Sequence, residues 1–443
     1  MTGLAGTAGL AGASEGGTTS LVTERLGIEV RVRARASGAE RFAGALELGL
    51  RRNPKRAQLL VSRVLGKHIP VPASEVLTAA ALLGAAARPH CEGQVPVVVG
   101  FAETATGLGH GVAAACGPDG GPAPYLHTTR RPAPAGTQVV RFTEDHSHAT
   151  DQALVLADED TLRDGRPLVL VDDELSTGST AVNAIRALHA RWPRRRYVLA
   201  SLADCRDTGQ RDRVAEAIGA LGAEAVSVSL LDGEVTLPAD VLPAARAFIE
   251  TLGGPGLGEP GRPARSGPEV PVSWSSLDLP PGLPAFTGPG WAPAQEHAAR
   301  AVLAAAAGSL PVPGDSRTLV LGDEELMYFP QLLAAALGSD VRTSTTTRTP
   351  AVVIDQPGYP LRTVLRFAST EDGQRPAYAY NVRPAAGSER GNAPGFDHIV
   401  LVTDAPPGPR TAGLAAALAA CASAGVHVLS LRPAAQGERR AAG

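Results

Sequence analysis

The run Leu168-Val169-Leu170-Val171-Asp172-Asp173-Glu174-Leu175-Ser176-Thr177-Gly178-Ser179-Thr180 constrains this chain more than any other stretch of its 443 residues. Four consecutive apolar residues leave neither strand face for water. Leu168 to Val171 therefore predicts a strand inside a parallel sheet covered by helices. Asp172 and Asp173 emerge at its carboxyl end, where open α/β sheets place their ligands. Ser176 to Thr180 supply hydroxyls and unhindered backbone N–H groups, and Thr180 opens a helical run through Leu188. A helix start behind such a loop is a seat for a phosphate. The order of strand, acid pair, loop and helix thus describes a sugar-phosphate site. The plainer reading is an acidic turn capping an ordinary helix.

The same alternation extends along the chain and argues for α/β architecture. Gly27 to Arg35 alternates apolar and charged residues as a half-exposed strand. Ser74 is placed to cap a helix over 75–87. Val95 to Gly100 reads as a buried strand followed by a small-residue helix to Cys116. Tyr125 to Thr128, Val139 to Phe142, Tyr197 to Leu202 and Ala225 to Leu230 read as further strands. Gly and Pro dominate from Gly253 to about Pro293, a linker that cannot nucleate a core. Beyond it, strands are expected at 318–321, 351–354, 361–367, 398–402 and 426–431, with helices near 296–307, 325–336 and 412–424. The expected organisation is a tail (1–20), a first α/β domain (21–252), the linker (253–293), a second α/β domain (294–435) and a short tail (436–443).

Composition narrows the class. The net charge of −3 argues against a general grip on nucleic acid. No apolar run reaches the roughly 18 residues of a membrane span. The N-terminal residues carry no basic region and are not read as a signal peptide. Cys91, Cys116, Cys205 and Cys421 form no C-x-x-C pair, so neither a zinc knuckle nor a disulfide framework is expected, and a reducing cytoplasm fits. Only two of the 41 basic residues are lysines, Lys55 and Lys67. Both fall in one short stretch with His68, Asn53-Pro54-Lys55-Arg56 to Gly66-Lys67-His68. In an arginine-dominated background this marks places where a compact point charge is needed, unless it is chance.

A second loop, Phe101-Ala102-Glu103-Thr104-Ala105-Thr106-Gly107, lies between a buried strand and a helix and has the small residues and hydroxyls that face an anion. The glycines at 107, 109 and 111 lack the G-x-G-x-x-G spacing of a dinucleotide site. Between the two loops lies a polar stretch with Arg130, Arg131, Arg141, His146 and His148. The two histidines suit proton transfer or, at H-x-H spacing, a metal; a solvated loop is the plainer alternative.

With these motifs the chain resembles the type I phosphoribosyltransferases, which use phosphoribosyl pyrophosphate (PRPP). The resemblance implies a Rossmann-like parallel sheet. Asp172 and Asp173 would hold the ribose hydroxyls, Ser176, Thr177, Gly178, Ser179 and Thr180 the 5′-phosphate, and Glu103, Thr104, Ala105, Thr106 and Gly107 the pyrophosphate. Mg²⁺ would be carried by Asp172, Asp173 and Glu174, directly or through ligand and water. His146 and His148 would lie in a lid over the reacting centre, and Lys55, Lys67, His68, Arg130, Arg131 and Arg141 would contact substrate or phosphates. Glu174 departs from the family, which usually has an apolar or small residue there, and the lid lacks the family's frequent lysine. More narrowly, N-P-K-R, G-K-H, E-T-A-T-G, H-S-H-A-T-D-Q and V-D-D-E resemble the orotate-phosphoribosyltransferase-like proteins of bacterial tellurium-resistance and stress gene clusters. In those, a C-terminal domain named for a Thr-Arg-Ser-Pro tetrapeptide follows. Thr347-Arg348-Thr349-Pro350 stands at such a place, and Asp323, Glu324 and Glu325 follow a strand. That domain is read either as structural or as holding a second site. The resemblance implies PRPP and an unidentified base or nucleotide as partners, an N-glycosidic bond made or broken at ribose C1, and a homodimer. A regulator that binds PRPP or a nucleotide without turnover is the alternative.

Overall fold

The computed structural model describes residues 20–53, 55–133, 137–143, 151–252, 270–385 and 395–434. His146, His148, residues 1–19, residues 253–269 of the expected linker and the expected C-terminal tail lie outside them.

The first part of the chain builds an eight-stranded sheet in the order Glu29–Ala34, Glu224–Thr236, Arg196–Asp204, Leu168–Leu175, Val97–Gly100, Tyr125–Thr129, Asp151–Leu156, Gln138–Thr143. The five strands from Glu224–Thr236 to Tyr125–Thr129 are mutually parallel, and the outer ones pair antiparallel. Leu168 to Val171 are buried between two neighbours, as a strand apolar on both faces must be. The chain leaves Val97–Gly100 towards one edge and returns to Leu168–Leu175 on the other side. These adjacent strands therefore flank the point where the direction of winding reverses, where sheets of this kind open a crevice. The helix Ser179–His189 lays Ala181, Val182, Ala184, Ile185 and Leu188 against the sheet at i, i+3, i+4 spacing. Each buried Val, Leu or Ile there contributes about 1.5–3 kcal/mol.

The second part forms a six-stranded sheet ordered Val272–Asp278, Gly425–Arg432, His398–Thr403, Thr318–Gly322, Arg342–Thr345, Val71–Pro72. Its last strand comes from the first part of the chain and pairs antiparallel with Arg342–Thr345. One apolar cluster joins Leu83, Leu108 and Tyr125 to Trp291, Phe329 and Leu333, so both parts share a core.

Several elements differ from expectation. The helix at Ser74 begins at Ala73 behind Pro72, and no side chain caps it. The central strand runs through the carboxylates to Leu175. Within the stretch read as linker, Val272–Asp278 is a strand, largely exposed and so without an apolar signal. Arg342–Thr345 was equally silent because its side chains are hydroxyls and an arginine. It is nonetheless buried, with the Ser344 hydroxyl donating to the Lys67 carbonyl (3.0 Å) and the Thr345 hydroxyl to the Glu324 carbonyl (3.0 Å). Ala351 to Ile354, expected as a strand, makes one bridge and otherwise packs as irregular chain after Pro350; its apolar run reports burial, not extension. Asp151–Leu156 and Pro376–Tyr380 are strands the pattern did not announce.

Candidate functional site

The loops at the carboxyl ends of Val97–Gly100 and Leu168–Leu175 face each other across a cleft of about 140 Å³. Asp172, Asp173, Ser176, Thr177, Gly178 and Thr180 line one side; Phe101, Ala102, Glu103 and Thr104 line the other; Lys67, His68 and Arg130 line it as well. Residues separated by more than a hundred positions thus converge on one crevice.

On the acid side, the Asp173 backbone N–H donates to Asp172 Oδ1 (2.9 Å). Burial, and then the neighbouring Glu174 charge, push the Asp173 carboxyl up, with Lys67 among the groups opposing the shift. Glu174 is not free for a metal: Arg56 Nη2 lies 2.5 Å from its Oε1, and the pair is mostly buried. Among the described residues no group of three or more His, Cys, Asp or Glu side chains is arranged to hold a metal ion. Asp172 and Asp173 alone suit a hard cation that brings its own oxygen ligands, as Mg²⁺ does when carried by phosphates.

The loop expected to seat a phosphate is built on Gly178, at φ +82°, directly before the helix Ser179–His189. A Cβ there would stand 2.6 Å from Val214 Cγ2. Only glycine meets both demands. The Ser179 N–H donates to Thr177 Oγ1 (3.3 Å), which keeps the turn closed. Ser179 itself does not line the cleft.

The second loop is held from both flanks. The Ala102 N–H donates to Thr128 Oγ1 (2.7 Å), and Gln152 Nε2 donates to the Ala102 carbonyl (2.7 Å). Glu103, 1% exposed, sits among Lys67 (3.4 Å), Arg348 (3.4 Å) and Arg130 (3.9 Å). Burial would raise its carboxyl, but Lys67, Arg348 and Arg130 outweigh burial and bring it down to about 2. Lys67 Nζ also donates to Thr104 Oγ1 (2.9 Å). Ala105, Thr106 and Gly107, expected to bind pyrophosphate, do not line the cleft. The Ala105 N–H is taken by the Phe101 carbonyl, the Thr106 hydroxyl reaches the Glu325 carbonyl (3.2 Å), and Gly107 packs under Gln331 and Met327. His68 is buried beside the Tyr380 ring, with centroids 5.5 Å apart, and its Nε2 has no hydrogen-bond partner among the described residues. Burial, then the Lys67 and Arg51 charges, lower it to about 3, so it is neutral near pH 7.

Other expected contacts stand elsewhere. Lys55 is exposed and lines a neighbouring groove. Arg141 is exposed on Gln138–Thr143, whose inward residues are Val140 and Phe142. Arg131 is locked to Asp404 (2.5 Å) and Glu371 and lies over the Phe286 ring. The second-part residues are drawn into a network of ion pairs and hydrogen bonds. Glu325 accepts from the Thr129 hydroxyl (2.6 Å) and the Arg130 N–H (2.8 Å). Glu324 accepts from Arg375 (2.7 Å) and Arg348 (2.9 Å). Asp323 accepts from the hydroxyls of Thr346, Thr370 and Thr403. The Thr347 backbone pairs with Tyr378 in both directions (2.8 Å each). Arg51, Arg56, Gln152 and Thr349 line the cleft without having been singled out. Arg56, Gln152 and Thr349 lay inside quoted motifs, so the signal was local but the responsible residue was not legible.

Three solved structures are similar to part of the chain. Adenine phosphoribosyltransferase from Rhodothermus marinus is 20% identical, with TM-score 0.32 over 44% of this chain and 98% of that one. Adenine phosphoribosyl transferase from Trypanosoma brucei, in complex with AMP, pyrophosphate and ribose-5-phosphate, is 11% identical, with TM-score 0.32 over 44% and 80%. Orotate phosphoribosyltransferase from Aeropyrum pernix is 17% identical, with TM-score 0.27 over 47% and 93%. No curated protein matches the chain. No described helix is long and apolar enough to cross a membrane. Residues 45–234 match the family model of a phosphoribosyl transferase, and residues 288–418 match that of the TRSP domain C-terminal to it. The chain therefore carries a domain of the phosphoribosyl transferase family followed by its C-terminal TRSP domain.

Proposed function

We propose that the chain transfers a phosphoribosyl group, making or breaking an N-glycosidic bond at C1 of PRPP or of a nucleotide. The observation that carries this reading is the single cleft lined at once by Asp172 and Asp173, by the loop around Gly178 and by Glu103 and Thr104 with Lys67 and Arg130. In this reading Asp172 and Asp173 accept the ribose hydroxyls and stabilise positive charge as it develops on the ring. Ser176, Thr177, Gly178 and Thr180 hold the 5′-phosphate. Lys67 and Arg130 turn to the pyrophosphate, and neutral His68 offers Nε2 to the nucleophile. Mg²⁺ bound through PRPP would offset leaving-group charge, with Asp172 and Asp173 as its protein-side partners. Catalysis is then chiefly positional and electrostatic. A place in a tellurium-resistance or stress pathway rests on the motif resemblance, a cytoplasmic setting on the four free cysteines, and homodimer formation on the habit of type I enzymes.

Titration calorimetry of PRPP with Mg²⁺ against the wild type and Asp172→Asn/Asp173→Asn tests the reading. Each lost charge-assisted hydrogen bond costs about 1.5–3 kcal/mol, so the variant binds at least about a hundredfold more weakly. Silence of the wild type towards PRPP and ribose 5-phosphate alike overturns the proposal. Binding without pyrophosphate release across a panel of bases returns the regulator reading.

A further inference from the structure

The C-terminal domain does not merely flank the phosphoribosyl cleft. The segment that carries Lys67 and His68 is gripped by it: Val71–Pro72 is an edge strand of its sheet, Ser344 bonds the Lys67 carbonyl, and Asn381 Nδ2 donates to the His68 carbonyl (3.1 Å). Thr349 lines the cleft itself. Arg348, one residue earlier, reaches Glu103 from behind, because Lys67 and Arg130 line the cleft and Arg348 does not.

Glu103 presents a puzzle of charge. A buried carboxylate in the loop expected to receive pyrophosphate would repel it and would hold the two cleft-facing cations. From this arrangement, and resting on the phosphoribosyl reading above, we infer that Glu103 is a placeholder anion and Arg348 a positioning residue that retains it. Before ligand arrives, Glu103 keeps Lys67 and Arg130 ordered and desolvated in the cleft. When pyrophosphate takes those two cations, Glu103 would be left as an uncompensated buried charge, which is costly. Arg348 remains as its partner. It cannot follow the ligand, because Glu324 (2.9 Å), Glu371 (3.4 Å) and Glu325 (3.9 Å) pin its guanidinium. The Thr-Arg-Thr-Pro segment of the second domain thereby tunes the pyrophosphate half of the first domain's site and leaves the ribose 5-phosphate half alone.

The test is calorimetric titration of Mg²⁺–pyrophosphate and, separately, ribose 5-phosphate into the full chain, its Arg348→Gln and Glu103→Gln variants and the double variant. Arg348→Gln is expected to weaken pyrophosphate about tenfold, or about 1.4 kcal/mol, with ribose 5-phosphate changed less than about twofold. Glu103→Gln is expected to bind pyrophosphate at least as tightly as wild type, and the double variant to recover most of the loss. Equal weakening of both ligands, an unchanged pyrophosphate affinity in Arg348→Gln, or a double variant no better than that single one overturns the inference. Should Arg348→Gln not fold, Arg348→Lys, which keeps the charge, is expected to retain pyrophosphate affinity within about threefold; a tenfold loss there is equally fatal. A wild type that binds neither ligand defeats the phosphoribosyl reading instead, whereas one that binds both while Arg348→Gln is unaffected defeats only this inference.

Discussion

Gly178→Ala isolates the geometry of the loop proposed to seat the 5′-phosphate. Two independent costs attach to the new methyl group. At φ +82° an alanine occupies the left-handed region, at about 1–2 kcal/mol. Its Cβ would also stand 2.6 Å from Val214 Cγ2, a buried side chain, and overpacking of that kind costs about 1–3 kcal/mol. Urea unfolding is therefore expected to report a loss of about 2–5 kcal/mol, and ribose 5-phosphate binding should weaken because the loop must move to relieve the clash. The two costs separate in a double-mutant cycle with Val214→Ala. In the glycine background that truncation removes two methyl groups and costs about 1.6 kcal/mol. In the alanine background it also relieves the clash and should cost less or even stabilise, giving a coupling of about 1–3 kcal/mol. A coupling near zero, or a Gly178→Ala protein as stable as wild type, would refute the packing argument.

Further expectations follow from buried charge. Burial raises the Asp323 carboxyl to about 6, a Thr370 hydrogen bond only partly opposes it, and the nearby Glu324 and Asp404 charges add to the rise. Its folded value lies above its unfolded one, so its stabilising effect is complete below about pH 4 and is lost as pH rises through about 6. Wild type should lose about 2–3 kcal/mol more than Asp323→Asn between pH 4 and 7 by thermal or urea unfolding; identical pH profiles would count against it. Glu103 has the opposite sign. Its depressed value gives stability that is present above about pH 4.5 and lost as pH falls towards 2, so Glu103→Gln should flatten that acid limb. Arg56→Leu strands the largely buried Glu174 and should destabilise by about 3 kcal/mol, with recovery on adding Glu174→Gln. An additive double variant would mean that the pair carries no coupling.

The sheet was legible where side chains report their own surroundings. Leu168 to Val171 read as a doubly covered strand, and Asp172, Asp173 and Gly178 could be placed near its carboxyl end, because strand, acids and loop are contiguous. The hydroxyl-rich strand Arg342–Thr345 was not legible, since Thr and Ser report burial only through partners such as the Lys67 carbonyl and the Glu324 backbone. Nor was the exposed edge strand Val272–Asp278, whose pairing depends on backbone contacts to Gly425–Arg432.

The same boundary runs through the site. Local order alone determined the α/β class, the positions of the two loops and the acid pair, because each is a feature of a few consecutive residues and of the strand or helix they begin. Which cations serve those loops was decided only in three dimensions. Arg56 is bound to Glu174 across 118 positions of sequence, Arg131 is taken by Asp404 across 273, and Arg348 crosses from the other domain to Glu103. A charge in the sequence has a sign but no address; long side chains on distant elements find their partners only after the sheets pack and exclude water between them.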